Sequence, residues 1–211
     1  METKPPKPPK GVSRRGFMRT ASVGGGVLST GVIEKTMLAQ TGPAGKQSGV
    51  DAVPVALQVN GKRLNLKLEP RVTLLDAFRQ YAGITGAKRV CDRGTCGACT
   101  VIMDKKVVYS CTVLAIDAQG KDIQTIEGLA PEGKLHPVSA AFVEHDGQQC
   151  GYCTPGFVMA AKGFLDRHPN PTYEEVQHGL GGNLCRCGTY VGVRKAVLAA
   201  AKNMKGGSRN A

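Results

Sequence analysis

Gln149-Cys150-Gly151-Tyr152-Cys153-Thr154-Pro155-Gly156, answered much later by Asn183-Leu184-Cys185-Arg186-Cys187-Gly188, decides what kind of protein this is. Four cysteines stand there in two tight pairs, C-x2-C and C-x-C, separated by a segment with helical periodicity. Cysteines one residue apart bridge each other badly, because a disulfide wants a torsion of about 90° about its S–S bond and a Cα separation that so small a ring strains. Both can point at one metal. The two pairs therefore predict a metal site held where helices begin and end.

The other four cysteines lie upstream as Cys91-x4-Cys96-x2-Cys99-x11-Cys111. C-x4-C-x2-C followed by a distant cysteine is the plant-type [2Fe-2S] spacing. A loop that wraps a cluster needs glycines where amide groups approach sulfur and a Cβ would collide, and Gly94 and Gly97 stand between these cysteines.

The sequence around the first set alternates with period two: Val53, Val55, Leu57 and Val59, a turn at Asn60-Gly61, then Leu64, Leu66 and Leu68. Asn-Gly between such runs predicts a hairpin with a type I′ turn. Thr73 is placed to cap a helix with Leu74, Leu75, Phe78 and Tyr81 on its inner face and Asp76 in its first turn. Residues 100–103 and 107–111 predict two strands joined at Asp104-Lys105-Lys106, and residues 123–126 another. From about His136 the period becomes helical: Pro137 to Glu144, Pro155 to Asp166 with Pro155 in the first turn, Tyr173 to Leu180 capped by Thr172, and Tyr190 to about Met204. The fold class expected is α+β, a small domain with a helix across a mixed sheet followed by an all-α four-helix bundle. The domains expected are residues 1–50 as leader and linker, 51–130, and 131–211.

Residues 1–12 are rich in Pro and Lys, and Ser13-Arg14-Arg15-Gly16-Phe17-Met18-Arg19 then opens a Gly-rich, weakly apolar run to Ile33. That run is too short and too polar for a membrane span, which needs about 20 strongly apolar residues. Twin arginines before a mild apolar stretch resemble the twin-arginine translocation leader, which exports folded proteins, with cleavage expected between about Ala39 and Ala44. The leader predicts a periplasmic protein and the twin-arginine translocase as a partner. It also accounts for much of the charge: residues 1–50 hold eight basic residues against two acidic ones, +6 of the chain's +12. With half the charge in a removable segment and no basic stripe interleaved with aromatics, nucleic acid is not an expected partner.

Disulfides, zinc and inert buried thiols are the competing readings of eight cysteines. An exported chain with an even count could carry disulfides, but Cys185 and Cys187 are too close, and export of a folded protein suits a centre inserted before transport. Zinc could use C-x2-C knuckles, yet C-x-C is uncommon for it and zinc gives no reason for the plant-type loop. Inert thiols would not cluster. Two [2Fe-2S] centres leave no cysteine over. His136, His145, His168 and His178 read as structural or surface residues, and the chain has no nucleophile motif, phosphate loop or dinucleotide fingerprint.

Together, Cys91-Asp92-Arg93-Gly94-Thr95-Cys96-Gly97-Ala98-Cys99-Thr100-Val101, the stretch around Cys150 and Gly182 to Gly188 closely resemble the small iron–sulfur subunit of the xanthine oxidase family of molybdenum hydroxylases. With the leader, the chain looks most like the iron–sulfur subunit of periplasmic aldehyde oxidoreductases. The resemblance covers residues 53 to 204. It implies a β-grasp, plant-type ferredoxin-like domain holding a distal cluster on Cys91, Cys96, Cys99 and Cys111. A helical domain would hold a proximal cluster on Cys150, Cys153, Cys185 and Cys187. It further implies a molybdopterin-binding large subunit whose pterin is contacted by Gln149 and Cys187, and an FAD-binding subunit or c-type cytochrome as electron acceptor. Oxidation of aldehydes to carboxylic acids is the reaction this suggests; an isoquinoline-type N-heterocycle hydroxylase and a free-standing two-cluster carrier are the alternatives. Two departures stand out. Val90 precedes the first cysteine where the family often has Gly, and Val191-Gly192-Val193 differs from the usual continuation after Tyr190.

Overall fold

The computed structural model describes residues 51–130 and 133–207; the leader and linker expected over residues 1–50 lie outside them. The hairpin forms as the Asn-Gly signal requires. β1 (Val53–Val59) pairs antiparallel with β2 (Lys62–Leu68), Val53 opposite Leu68 and Val59 opposite Lys62. Asn60 and Gly61 take φ values of 49° and 73°, the left-handed pair of a type I′ turn. The Asn60 side chain also ties the turn to residues far along the chain, donating to Thr125 Oγ1 at 2.9 Å and accepting from Thr125 N at 2.9 Å.

Thr73 caps α1 (Leu74–Asp76) by accepting from Asp76 N at 3.1 Å, but the expected helix does not continue as one. From Ala77 to Tyr81 the turn widens to a π-helix, and Ala82 N bonds Ala77 O at 3.0 Å. Each residue of a wider turn advances less around the axis, so Leu74, Leu75 and Phe78 reach the core while Tyr81, expected inside, is 49% exposed. β3 (Thr100–Met103) and β4 (Lys106–Tyr109) meet at a tighter turn than expected: Asp104 and Lys105 alone make it, at φ 48° and 64°. Two bonds to Asp122 hold it there, Asp104 N to Asp122 O at 2.9 Å and Asp122 N to Asp104 Oδ1 at 3.0 Å. The second strand ends early because Ser110–Thr112 coil into a 3-10 turn, which carries Cys111. β5 (Asp122–Gln124) is likewise cut short by the 3-10 turn Ile126–Leu129.

The five strands form one mixed sheet in the order β2-β1-β5-β3-β4, with β1 and β5 parallel and the other pairs antiparallel. One face buries Leu57, Val101 and Ile123 against Leu74, Leu75 and Phe78, none of them measurably exposed. Each such side chain contributes about 1.5–3 kcal/mol on leaving water.

Four helices follow. α2 (Pro137–Glu144) begins at His136, whose Nδ1 accepts from Val138 N at 3.2 Å. That bond needs a neutral ring, and burial first, then Lys162, holds the His136 pKa below its ordinary value. α3 (Thr154–Leu165) starts directly after Cys153 with Pro155 in its first turn. α4 (Tyr173–Gly179) opens on a complete capping box, Glu175 N to Thr172 Oγ1 at 3.2 Å and Thr172 N to Glu175 Oε2 at 2.7 Å. α5 (Tyr190–Gly207) lies along α2, and Val138, Phe142, Phe157, Val176, Val193 and Val197 share one apolar core. Ile102 belongs to that core too, with Val107 packed against it. Since neighbours on a strand face opposite ways, β3 buries Val101 in one core and Ile102 in the other. α3 comes this close to the sheet because Gly163 has no Cβ to meet Val107 and Ile102. Among the described residues no helix is long and apolar enough to cross a membrane.

Candidate metal centres

The loop between α1 and β3 brings Cys91, Cys96 and Cys99 to the 3-10 turn bearing Cys111. Backbone amides turn in toward these sulfurs: Gly94 N donates to Cys111 Sγ at 3.3 Å and Thr95 N to Cys91 Sγ at 3.4 Å. Gly94 does this at φ 72°, and a Cβ there would stand 2.8 Å from Thr112 Cγ2, so its glycine has the reason the sequence suggested. Gly97 has a different one. A Cβ on Gly97 would lie 2.6 Å from the Asn183 side chain, so the space it leaves admits a residue of the second half rather than a sulfur.

The second set is gathered by helix ends. Cys153 is the residue before α3, Cys150 lies three residues earlier, and Cys185 and Cys187 sit in the loop that leads into α5. Tyr190 fixes that loop, its hydroxyl accepting from Cys185 N at 2.9 Å and donating to Cys185 O at 3.2 Å. Thr189 Oγ1 is 3.2 Å from Cys185 Sγ. Cys150, Cys153 and Cys185 line a cavity of about 400 Å³ together with Cys96 and Ala98 of the first loop and Tyr190. Cys150 and Cys187 are exposed, as is Gln149 beside them.

The acid–base character of these thiols shows why a cation suits them. Hydrogen bonding, led by the Thr95 side chain, lowers Cys91 to about 6 against the opposing effect of burial. At Cys185 burial pushes upward, yet bonds from Thr189, Cys153 and Cys187 bring it down to about 7. Burial, helped by Cys99, raises Cys111 to about 11, and burial with Cys185 raises Cys153 to about 12. Each set thus interacts as a group, and within each one thiol gives up its proton readily while another resists. Four thiolates coexist in such a place only when positive metal lies between them. Among the described residues no three His, Cys, Asp or Glu side chains converge as a single metal ion would require; a binuclear cluster spreads four thiolates over two irons. The amide donors, the glycine at 94 and the thiol chemistry all fit such a cluster.

The two sets are joined by direct contacts between their loops. Leu184 N donates to Cys96 O at 2.9 Å, Tyr109 OH to Gly182 O at 3.0 Å, and Asn183 Nδ2 to Gly97 O at 2.9 Å. Tyr152, between Cys150 and Cys153, donates to Arg89 O at 3.3 Å, with the Lys88 ammonium 6.0 Å from its ring centre. Arg89 is itself held by an ion pair with Asp76. None of these contacts carried a sequence signal beyond the small residues at 97, 156 and 182 that make room for them.

Two domain families match this chain: the 2Fe-2S iron-sulfur cluster binding domain over residues 57–127 and the [2Fe-2S] binding domain over residues 125–198. The aldehyde oxidoreductase iron-sulfur-binding subunit PaoA of Escherichia coli O157:H7 is 39% identical over 170 residues, 74% of each chain. The chain belongs to the xanthine oxidase family of molybdenum hydroxylases, among their iron–sulfur subunits. The small subunit of nicotine 6-hydroxylase from Paenarthrobacter nicotinovorans, 45% identical over 150 residues, matches 71% of this chain and 90% of its own length. In structure the chain is similar to quinoline 2-oxidoreductase from Pseudomonas putida 86, with a TM-score of 0.71 at 37% identity, covering 74% of this chain and 98% of that one. Both iron–sulfur domains of the molybdenum hydroxylase family are therefore present, and with them two [2Fe-2S] clusters. The two departures noted in this family's pattern both fall on the surface: Val90 is 56% and Val191 57% exposed.

Proposed function

We propose that this chain is the electron-transfer subunit of a heteromeric molybdenum hydroxylase that oxidises aldehydes to carboxylic acids. In it residues 51–130 form the plant-type, β-grasp domain and residues 131–211 a four-helix-bundle domain. Cys91, Cys96, Cys99 and Cys111 hold one cluster; Cys150, Cys153, Cys185 and Cys187 hold the other. The clusters supply one-electron transfer. The protein supplies two ligand sets fixed against each other by direct hydrogen bonds between their loops, so neither can drift. The observation that carries the proposal is the uneven burial of the second set: Cys185 is 8% exposed, while Cys150, Cys187 and Gln149 stand open at the surface. Tyr152 and Leu184, 50% and 53% exposed, flank them as apolar ground for a partner subunit. On this reading Gln149 and Cys187 meet the molybdopterin of the large subunit, and electrons leave past the first set to an FAD-binding subunit or a c-type cytochrome.

Purification of the native complex tests this. Molybdenum is expected to copurify with the chain, with about four irons and about four labile sulfides per chain and two distinct EPR signals on reduction. A chain that emerges alone and free of molybdenum is instead a free-standing carrier. Kinship with the small subunit of a nicotine 6-hydroxylase favours a second reading, hydroxylation of an N-heterocycle. Turnover of nicotine- or isoquinoline-type rings in preference to aldehydes would decide for it.

We further propose export through the twin-arginine pathway to the periplasm, on the strength of Ser13-Arg14-Arg15-Gly16-Phe17. If the large subunit travels bound to this chain, Arg14→Lys with Arg15→Lys strands both in the cytoplasm. Undiminished periplasmic activity of that double variant would remove the idea.

A further inference from the structure

Asn183 lies two residues before Cys185, yet its side chain serves the other set of cysteines. It is 5% exposed, and its Nδ2 donates to Gly97 O at 2.9 Å and to Thr100 Oγ1 at 3.2 Å. Thr100 closes the group from its own side, donating from Oγ1 to Gly97 O at 2.6 Å and from its backbone N to the same oxygen at 3.2 Å. The next residue repeats the pattern, Leu184 N holding Cys96 O at 2.9 Å. Two consecutive carbonyls of the first cysteine loop are thus drawn toward the second half of the chain. The described residues contain no cis peptide, and in a trans peptide the N–H points opposite to the C=O. Holding Gly97 O on Asn183 therefore aims the Ala98 N–H the other way, back into the loop that runs from Cys91 to Cys99.

We infer that Asn183 is a positioning residue for the first centre: its amide fixes the Gly97–Ala98 peptide so that an N–H dipole faces the sulfurs of that loop. Such a donor favours the more negatively charged, reduced state and raises the potential of the centre it faces. A residue of the second cysteine motif thereby sets the poise of the first. This rests on the assignment of Cys96 and Cys99 as ligands, which the unaltered protein tests separately through its iron content and its two EPR signals.

The experiment is an EPR-monitored redox titration of the purified complex carrying Asn183→Leu, Thr100→Val or Thr100→Ser, with the first centre's signal identified by its loss in Cys96→Ser. Asn183→Leu is of similar size and lacks the donor. Its first-centre potential is expected to shift downward while that of the second centre stays in place. Thr100→Val should shift the same potential in the same direction and Thr100→Ser leave it as in the unaltered protein. An unchanged first-centre potential at full iron content overturns the inference, and so does a shift confined to the second centre. If Asn183→Leu fails to assemble, the threonine pair decides alone: equal potentials in Thr100→Val and Thr100→Ser overturn the inference.

Discussion

Gly156→Ala is expected to destabilise the described fold by about 3 kcal/mol, the upper part of the usual range for an overpacked site. Gly156 occupies the first turn of α3, where the helix meets the first cysteine loop. A Cβ there would run into Gly97 O and stand 3.0 Å from Ala98 Cα and 3.1 Å from its carbonyl carbon. All three atoms are backbone, and none can rotate out of the way. Relief comes only by moving α3 off the loop, which would strain the Asn183 and Leu184 bonds to Gly97 and Cys96. In a chain of this size each kcal/mol is worth roughly 2–4 °C, so melting should fall by roughly 6–12 °C. An alanine variant that melts with the unaltered protein would mean that the approach of helix to loop is looser than these distances.

Cys96→Ser and Cys187→Ser are expected to remove different things. Each replaces a thiolate by a poor iron ligand, so each should lose one EPR signal and lower iron from about four to about two per chain. Cys96 holds the second half through its carbonyl, which serine keeps, so Cys96→Ser should leave reduction of molybdenum by substrate intact and interrupt the onward flow of electrons. Cys187 is exposed beside Cys150 and Gln149, so Cys187→Ser should impair the first reduction as well. Rapid mixing with substrate, followed separately at molybdenum and at the acceptor, distinguishes them. Identical behaviour of the two variants at intact folding would contradict the order in which the centres are placed.

The features legible in the sequence are those with short-range causes. Asn60-Gly61 makes its turn because two left-handed residues in a row suit little else, and Thr172 with Glu175 closes its box within a single turn. The cysteine sets were legible because ligand spacing is itself geometry. Asp104-Lys105 was not, since neither residue advertises a positive φ; the turn is held by Asp122, distant in sequence. Tyr81 was misplaced because nothing local announces a π-turn. The meeting of the loops was hidden most deeply. Gly97, Gly156 and Gly163 read from sequence as cluster-loop or helix-weakening glycines, and each proves to be a place where distant backbone or side chains press in. Such spaces belong to pairs of segments, and one segment alone carries no trace of its partner.

The strand β3 carries a final consequence. With Val101 on one face and Ile102 on the other, both buried, it has no side left for water. A chain ended after the first set of cysteines would present Ile102 and Val107 to solvent and lose the roof that α3 provides through Gly163. The ferredoxin-like half is thus not a cassette that can be lifted out and used elsewhere. It is finished only by the helices that follow it, and assembly of the first centre is bound to the synthesis of the last helix.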